Sequence, residues 1–342
     1  MGKDVKMSSN TLIQATALNR FYGEYQAVKD FNLTLNKGEV LGLLGPNGAG
    51  KSTTMQMLTG NISPSSGEVI INGVNLLEEP QQAKRQIGYL PEQPPVYRDM
   101  TVLEFLHYCA SLHDIAKNKI KNLVDNAIER CALQTVMNKL IGNLSKGYQQ
   151  RVGIAQAILH QPEVVILDEP TVGLDPIQIT KIRDLIRELG QDHSVILSTH
   201  ILPEVQAVCD RVQIINQGET VFSDSFSELA QKQTSNILVV GFEQSINEAA
   251  LKNNADIKQV KALGDNRFEL EFNGKYEPSI IYKQAIKQGW ILTELSPQEE
   301  TLEQIFMNLV HTDVVANSVN TQQAHQPHQS KQVQQPIAKQ AS

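Results

Sequence analysis

The hydrophobic positions of the chain follow two different periods. Apolar and polar residues alternate in pieces of residues 11–35, which predicts antiparallel strands with one face packed on a core. Continuous apolar runs at residues 40–44, 164–167 and 194–198 are typical of strands buried in a parallel sheet. Between residues 101 and 140 the apolar positions recur at roughly helical spacing without a proline, which predicts a mostly helical insertion.

The pattern divides the chain into segments. Residues 11–235 are expected to form a main α/β domain, with the helical insertion at about residues 92–160. Residues 236–310 contain two strand-like runs with helical stretches between and after them, which predicts a small α+β accessory domain. Residues 1–10 are expected to be a flexible N-terminus. Residues 311–342 lack aromatic residues and are rich in glutamine, so we expect a disordered tail.

Composition narrows the classes of protein. The 342 residues are 41% hydrophobic and 20% charged, which is ordinary for a soluble chain of two or three domains. No apolar run approaches the roughly 20 residues that cross a bilayer, and the first residues lack the apolar core of a secretion signal. We therefore expect a cytoplasmic protein that reaches a membrane through a partner. A net charge of −7 argues against a nucleic-acid partner, and three widely spaced cysteines suggest neither a disulfide framework nor a zinc site.

The strongest chemical motif is a phosphate-binding loop between the apolar run at residues 40–44 and a predicted helix start. Its glycines allow backbone N–H groups to point at an anion, a lysine adds a full charge, and a hydroxyl can bind Mg²⁺. A chance match in a glycine-rich turn is the alternative, and the strand before the loop and the helix after it argue against that. The loop consists of Gly45, Pro46, Asn47, Gly48, Ala49, Gly50, Lys51 and Ser52, with Thr53 directly after it.

An acidic pair follows the apolar run at residues 164–167, whose strand we expect beside the phosphate-loop strand. Asp168 can bind Mg²⁺, and Glu169 can orient or deprotonate a water for attack on a terminal phosphate. Such a pair is more often a helix cap when it stands alone. The presence of a phosphate-binding loop in the same chain favours the functional interpretation.

Two further positions are open to a structural or a functional interpretation. Ser145 is a good N-cap for the helix that follows it, and that helix start could also bind an anion. His200 follows the apolar run at residues 194–198, whose strand should lie beside those that carry Lys51 and Asp168. A lone histidine at a strand end is often structural, but this one could face the terminal phosphate.

Together these motifs resemble the nucleotide-binding subunit of an ABC transporter, over about residues 11–235 and in the order and spacing of that family. The resemblance implies a P-loop NTPase core with an antiparallel β subdomain and a helical insertion. It also implies a Walker A loop at residues 45–52 with Thr53 near the α-phosphate, and a Walker B strand that ends at Asp168. The other roles that it implies are a catalytic carboxylate at Glu169, a signature at Ser145, Lys146, Gly147 and Tyr148, a D-loop aspartate at Asp175, a switch histidine at His200 and an adenine-stacking ring at Tyr22.

Two motifs depart from the family pattern. The signature commonly reads Leu-Ser-Gly-Gly-Gln, whereas Lys146 and Tyr148 replace its third and fifth residues here, counting from Leu144. The glutamine of the Q-loop should align with Glu92, and a glutamine follows only at Gln93. Either side chain could reach Mg²⁺ or the attacking water, so both stay candidates.

The resemblance also implies how such a chain works. It implies ATP and Mg²⁺ as ligands, a head-to-tail dimer of two copies, and a separate transmembrane permease. The strand and helix at residues 290–306 look like the C-terminal end of ATPases of the ABC-2 exporter class, located on the cytoplasmic face of the inner membrane. The alternatives are an ABC ATPase that acts on nucleic acid or ribosomes, and a regulatory protein that binds ATP without hydrolysing it.

Overall fold

The computed structural model describes residues 10–113, 115–232, 237–252, 256–273, 278–297 and 302–309. The predicted flexible N-terminus, apart from Asn10, and the predicted glutamine-rich tail lie outside these ranges. The boundaries assigned to the domains stay predictions.

The elements alternate between strands and helices along most of the chain. The strands are β1 (Thr11–Tyr22), β2 (Tyr25–Asn36), β3 (Val40–Leu44), β4 (Ser66–Ile71), β5 (Val74–Asn75), β6 (Ile87–Leu90), β7 (Val164–Asp168), β8 (Ser194–Thr199), β9 (Arg211–Asn216), β10 (Glu219–Ser225), β11 (Ile237–Phe242), β12 (Ile257–Gly264), β13 (Arg267–Phe272) and β14 (Leu292–Pro297). The helices are α1 (Lys51–Leu58), α2 (Pro80–Lys84), α3 (Val102–Leu112), α4 (Lys117–Arg130), α5 (Lys146–Ile158), α6 (Pro176–Asp192), α7 (Leu202–Val208), α8 (Phe226–Lys232), α9 (Glu248–Lys252), α10 (Pro278–Gln288) and α11 at residues 302–309.

A six-stranded, mostly parallel sheet with the order β10-β9-β3-β8-β7-β6 forms the centre. Strand β8 pairs in parallel with both β3 and β7, as predicted for the strand that precedes His200. The prediction that β7 lies directly beside β3 is wrong, because β8 lies between them. An apolar run indicates that a strand is buried on both faces, but it does not specify which strands are its neighbours.

Alternate residues of the central strands face two different cores. Val165 and Leu167 belong to a cluster with the helices of the insertion, whereas Ile166 belongs to a cluster with α1 and the antiparallel sheet. Successive side chains point to opposite faces of a sheet, so burial on both faces requires an uninterrupted apolar run. This packing on both faces fixes the position of β7, and with it the position of Asp168 at its end.

The antiparallel sheet and the helical insertion agree with the sequence pattern. Strands β1 and β2 pair antiparallel within a four-stranded sheet of order β2-β1-β4-β5. Helix α3 begins with a capping box, in which the Thr101 side chain accepts from the Glu104 N–H and the Glu104 carboxylate accepts from the Thr101 N–H. The α/β fold class is confirmed.

The C-terminal part has its own four-stranded antiparallel sheet, of order β12-β13-β11-β14. The two strands predicted from the sequence are β11 and β13. Helix α11 returns to the main sheet, where Ile305 and Phe306 join an apolar cluster with Leu44 and Val205. Among the described residues, no helix has the length and apolar character that crossing a lipid bilayer requires.

Candidate functional site

The loop between β3 and α1 has a shape that requires glycine. Gly48 and Gly50 have φ angles of 80° and 104°, in the region that L side chains rarely adopt. A Cβ atom added at Gly45 would lie 2.3 Å from the carbonyl oxygen of Ile215. The loop is therefore packed against the end of β9, and its backbone is preset to curve around a ligand.

Lys51 is the first residue of α1 and is 5% exposed. Its Nζ donates to the carbonyl oxygens of Gly45, at 2.9 Å, and Pro46, at 3.1 Å. It also lies 3.3 Å from Oε1 of Glu169. The cation is thus held at the mouth of the loop, where the partial positive charge of the helix N-terminus adds to it.

Asp168 is the last residue of β7, and its Oδ1 accepts hydrogen bonds from the hydroxyls of Ser198 and Ser52, the latter at 3.5 Å. Burial raises the pKa of the Asp168 carboxyl above its ordinary value, while these two hydrogen bonds and the charge of Lys51 act against the rise. Ser52 and Asp168 offer a hydroxyl and a carboxylate, the hard oxygen ligands that suit Mg²⁺. Within the described ranges no group of three or more His, Cys, Asp and Glu side chains could hold a metal ion.

Glu169 has an unusual backbone conformation for a residue with a side chain. Its φ is 48°, and its N–H donates to the carbonyl oxygen and the hydroxyl of Ser198, each at 3.1 Å. The two oxygens of its carboxylate have different partners. Oε2 accepts a hydrogen bond from Nδ1 of His200 at 2.9 Å, whereas Oε1 faces the Lys51 ammonium. A strained residue that is held by its neighbours is characteristic of functional sites. The three side chains predicted to surround a terminal phosphate, Lys51, Glu169 and His200, therefore lie together.

A cavity of about 510 Å³ opens beside these groups. Ten of the predicted site residues line it, and Tyr25, Ala27 and Val172 line it without having been predicted. The predicted ones are Tyr22, Asn47, Gly48, Gly50, Lys51, Ser52, Thr53, Glu92, Glu169 and His200. Gly45, Pro46 and Ala49 form the loop behind this lining, and Gln93 lies in a neighbouring cavity of about 560 Å³ that shares Glu92.

Two paired tyrosines, Tyr22 and Tyr25, line one part of the cavity, which we call its aromatic end. Tyr22, the last residue of β1, is 45% exposed, and the guanidinium of Arg20 lies 4.8 Å from the centre of its ring. Tyr25 begins the next strand and is 62% exposed. A planar base could stack on such a surface.

The predicted signature residues are elsewhere. Ser145 is the N-cap residue of α5, but its side chain makes no capping hydrogen bond, so the prediction of a good side-chain cap is wrong in this respect. Ser145 and Lys146 are exposed, and none of the described residues lining the 510 Å³ cavity comes from the signature. The start of α5 thus lies outside this cavity, and Lys146 lines the neighbouring cavity of about 560 Å³ instead.

The signature helix packs instead beside the predicted D-loop. A Cβ added at Gly147 would lie 2.8 Å from Oε1 of Gln178, which accepts from Arg151. Asp175 caps α6, because its carboxylate accepts from the Gln178 N–H at 2.9 Å. The Tyr148 ring lies 5.1 Å from the Arg151 guanidinium. These residues join the starts of α5 and α6 into one surface.

Sequence reasoning missed two polar residues behind the site. Ser198 donates to Asp168 and also accepts from the Glu169 N–H, and it had been included only in an apolar strand. Glu204 is 1% exposed in α7, where it accepts hydrogen bonds from Thr171 and Thr199. A glutamate between Leu202 and Val205 on a short apolar helix is the signal that could have identified it.

Comparisons with known proteins agree with this site. A family model described as ABC transporter matches residues 28–172, and one described as AAA domain, putative AbiEii toxin, Type IV TA system, matches residues 140–205. The chain is 34% identical over 300 residues to the uncharacterized ABC transporter ATP-binding protein YxlF of Bacillus subtilis (strain 168), which covers 88% of this chain and 100% of that protein. It is 33% identical over 303 residues to the bacitracin transport ATP-binding protein BcrA of Bacillus licheniformis, with 88% and 98% covered.

A solved structure agrees as well. The dimeric structure of MJ0796, a bacterial ABC transporter cassette, matches with a TM-score of 0.58 at 25% identity, and the match covers 63% of this chain and 98% of that chain. The likeness to YxlF extends over the whole of that protein. The chain therefore belongs to the family of ABC transporter ATP-binding proteins, and it is an ATPase.

Proposed function

We propose that this ATPase powers an ABC-2-type exporter through dimerisation that is driven by ATP. The observation that carries the proposal is the separation of its two anion-binding helix starts. Lys51 and the residues around it line the cavity, whereas the signature residues Ser145 and Lys146 lie outside it and are exposed. A second copy, related by a two-fold axis, could supply the missing side of each cavity.

Binding begins with the phosphates. The N–H groups of the loop and the Lys51 ammonium would hold the phosphate oxygens, and Thr53, which also lines the cavity, would contact the α-phosphate. Tyr22 would stack on the adenine at the aromatic end. We assign Ser52 and Asp168 as protein ligands of Mg²⁺, which neutralises part of the phosphate charge when it is bound.

Hydrolysis requires a positioned water. Glu169 accepts the water's proton or orients the water in our assignment, and its hydrogen bond to His200 keeps its carboxylate turned toward the terminal phosphate. Lys51 lies 3.3 Å from the same carboxylate in this chain, so it is close to both the acid and the phosphate. These groups stabilise charge on one side of the reacting phosphate.

The second copy would complete the other side. Ser145 and Gly147 of one chain, with Lys146 and Tyr148 beside them, would cover the nucleotide held by the other chain, and Asp175 would lie at the contact between the chains. ATP then favours the dimer, and hydrolysis releases it, which is a ligand-biased equilibrium between two states. The dimeric cassette among the solved structures supports this arrangement.

The partner for transport would be a separate permease of the ABC-2 type. The likeness to a bacitracin transport ATP-binding protein supports an export role. Glu92 lines both the nucleotide cavity and the neighbouring one, so we propose Glu92, with Gln93 as the alternative, as the residue that passes nucleotide state to the permease. The chain would act on the cytoplasmic face of the inner membrane, and we expect no nucleic-acid partner.

A hydrolysis-blocked variant tests the proposal. Glu169→Gln keeps the size and shape of the side chain but removes the base. We expect it to lose ATP hydrolysis and to sediment as a dimer with ATP and Mg²⁺ but as a monomer with ADP. A variant that stays monomeric with ATP and Mg²⁺, both alone and with its permease, would overturn the dimer mechanism.

A further inference from the structure

Glu204 is a buried acid that the proposed reaction does not use. It lies in the first turn of α7, is 1% exposed, and does not line the nucleotide cavity. Its two carboxylate oxygens accept from two different hydroxyls, Oε1 from Thr171 at 2.7 Å and Oε2 from Thr199 at 2.8 Å. Burying a polar group costs free energy unless it is hydrogen-bonded, and these two hydrogen bonds offset that cost for Glu204.

The two threonines are close in sequence to the two reacting side chains. Thr171 is two residues after Glu169, and Thr199 is directly before His200. Strands β7 and β8 pair with each other only as far as Asp168 and Ser198. Beyond that pair, Glu204 connects Thr171, in the loop after β7, to Thr199, the last residue of β8, with one carboxylate oxygen on each.

The loop of His200 is tied to Glu204 at further points. Thr199 Oγ1, which donates to Glu204, also accepts from the Ile201 N–H at 3.1 Å, and the Glu204 N–H donates to the Ile201 carbonyl oxygen at 3.1 Å. The backbone on both sides of His200 is therefore fixed relative to the Glu204 carboxylate.

We propose that Glu204 is a positioning residue for ATP hydrolysis, which sets the separation of Glu169 and His200 by holding Thr171 and Thr199. The inference rests on the proposed function of that pair. The Glu169–His200 hydrogen bond of 2.9 Å joins the residues that directly follow β7 and β8, and the Glu204 bridge connects the same two segments beside it. A displacement of about 1 Å in a catalytic group can lower a rate by roughly a hundredfold.

Thr171 gives the sharpest test, because Thr171→Val removes a hydroxyl but keeps the shape of the side chain. Steady-state ATPase assays of the full chain with Mg²⁺ should show kcat lowered by about tenfold or more, with KM within about twofold of wild type. Thr171→Ser keeps the hydroxyl and should keep kcat within about twofold. Thr199→Val removes the other hydroxyl that donates to Glu204 and should also lower kcat. This second variant keeps the test available if Thr171→Val does not fold.

Ser194→Ala is the matched control. Ser194 is a buried hydroxyl residue at the other end of β8, where it accepts from the Gly38 N–H at 2.8 Å. The variant should lower the melting temperature about as much as Thr171→Val does, yet leave kcat within about twofold. The inference is overturned if Thr171→Val keeps the wild-type kcat, if Thr171→Ser loses as much as Thr171→Val, or if Ser194→Ala lowers kcat equally.

Failure of the proposed function gives a different result. A Glu169→Gln variant that hydrolyses ATP as fast as wild type would remove the proposed chemistry itself. If Glu169→Gln is inactive while Thr171→Val and Thr199→Val are fully active, the positioning role of Glu204 alone is wrong.

Discussion

Two helices of this protein begin with a lysine next to glycine, and their surroundings differ. Lys51 opens α1, is 5% exposed and donates to two loop carbonyls. Lys146 opens α5 and is exposed, and its Nζ lies close to Gly173, where an added Cβ would approach it to 2.5 Å. The first helix start is completed by its own chain, whereas the second faces outward.

In the proposed dimer, the difference gives the two helix starts different roles in nucleotide binding. A buried, prearranged cation costs little reorganisation when a phosphate binds, so the α1 start suits tight binding by one chain. An exposed helix start keeps its anion-binding N–H groups in water until another surface covers them. The comparison therefore supports a nucleotide that is first bound by one copy and then enclosed by the other.

The largest effect is expected from the first lysine. Lys51→Met should lower ATP hydrolysis by about 10³-fold or more, because it removes the charge that holds the phosphates and stabilises the transition state. It also leaves the buried Glu169 carboxylate without its cation at 3.3 Å. ATP titration and steady-state assays of the purified chain would measure both binding and turnover.

Lys146→Met is the matched variant for that comparison. It should leave ATP affinity of the single chain within about twofold, because Lys146 does not line the cavity. Equal losses of ATP affinity in the two variants would contradict the distinction between the two helix starts.

A mixture of two inactive chains sharpens the comparison further. Ser145→Arg should lower hydrolysis by about a hundredfold, because a long side chain at this exposed helix start would obstruct the one site of the dimer that this helix start completes. When Ser145→Arg and Lys51→Met are mixed in equal amounts, half of the dimers contain one chain of each variant. Each of these mixed dimers has one intact site of its two. Activity should then recover to about a quarter of wild type.

The control for this experiment is each variant measured alone at the same total concentration. Activity of the mixture that equals the mean of the two separate variants would show that each site is built within one chain, and it would contradict the head-to-tail dimer.

The parts of the site that could be predicted from the sequence are those in which one local motif carries the chemistry. The loop from Gly45 to Ser52 needs positive φ angles, a cation and a helix start within a few residues, and all of these can be seen in the order of residue types. Asp168 and Glu169 follow an apolar strand for the same reason. His200 was placed correctly because strand β8 lies between β3 and β7.

The parts that could not be predicted depend on residues far apart in the chain. The apolar run of β7 does not specify its neighbours, so the sequence predicted β7 as well as β8 beside β3, whereas only β8 pairs with β3 on that side. Glu204 accepts from Thr171, which is 33 residues away, and its position in an apolar helix gives no periodic pattern. Ser145 looks like a side-chain cap because of its residue type, but its side chain makes no capping hydrogen bond.

The smallest effect is expected at the aromatic end of the cavity. Tyr22 and Lys51 line the same cavity of one chain, so the contribution of Tyr22 to ATP affinity should be measurable with a single copy. Stacking of a base on an aromatic ring contributes about 0.5–1.5 kcal/mol beyond burial, so Tyr22→Ala should raise KM for ATP by about twofold to twelvefold. Because the base is held equally in the ground state and the transition state, kcat should change little. Tyr22→Phe keeps the ring and should match wild type; if Tyr22→Ala matches it too, the adenine does not stack on this residue.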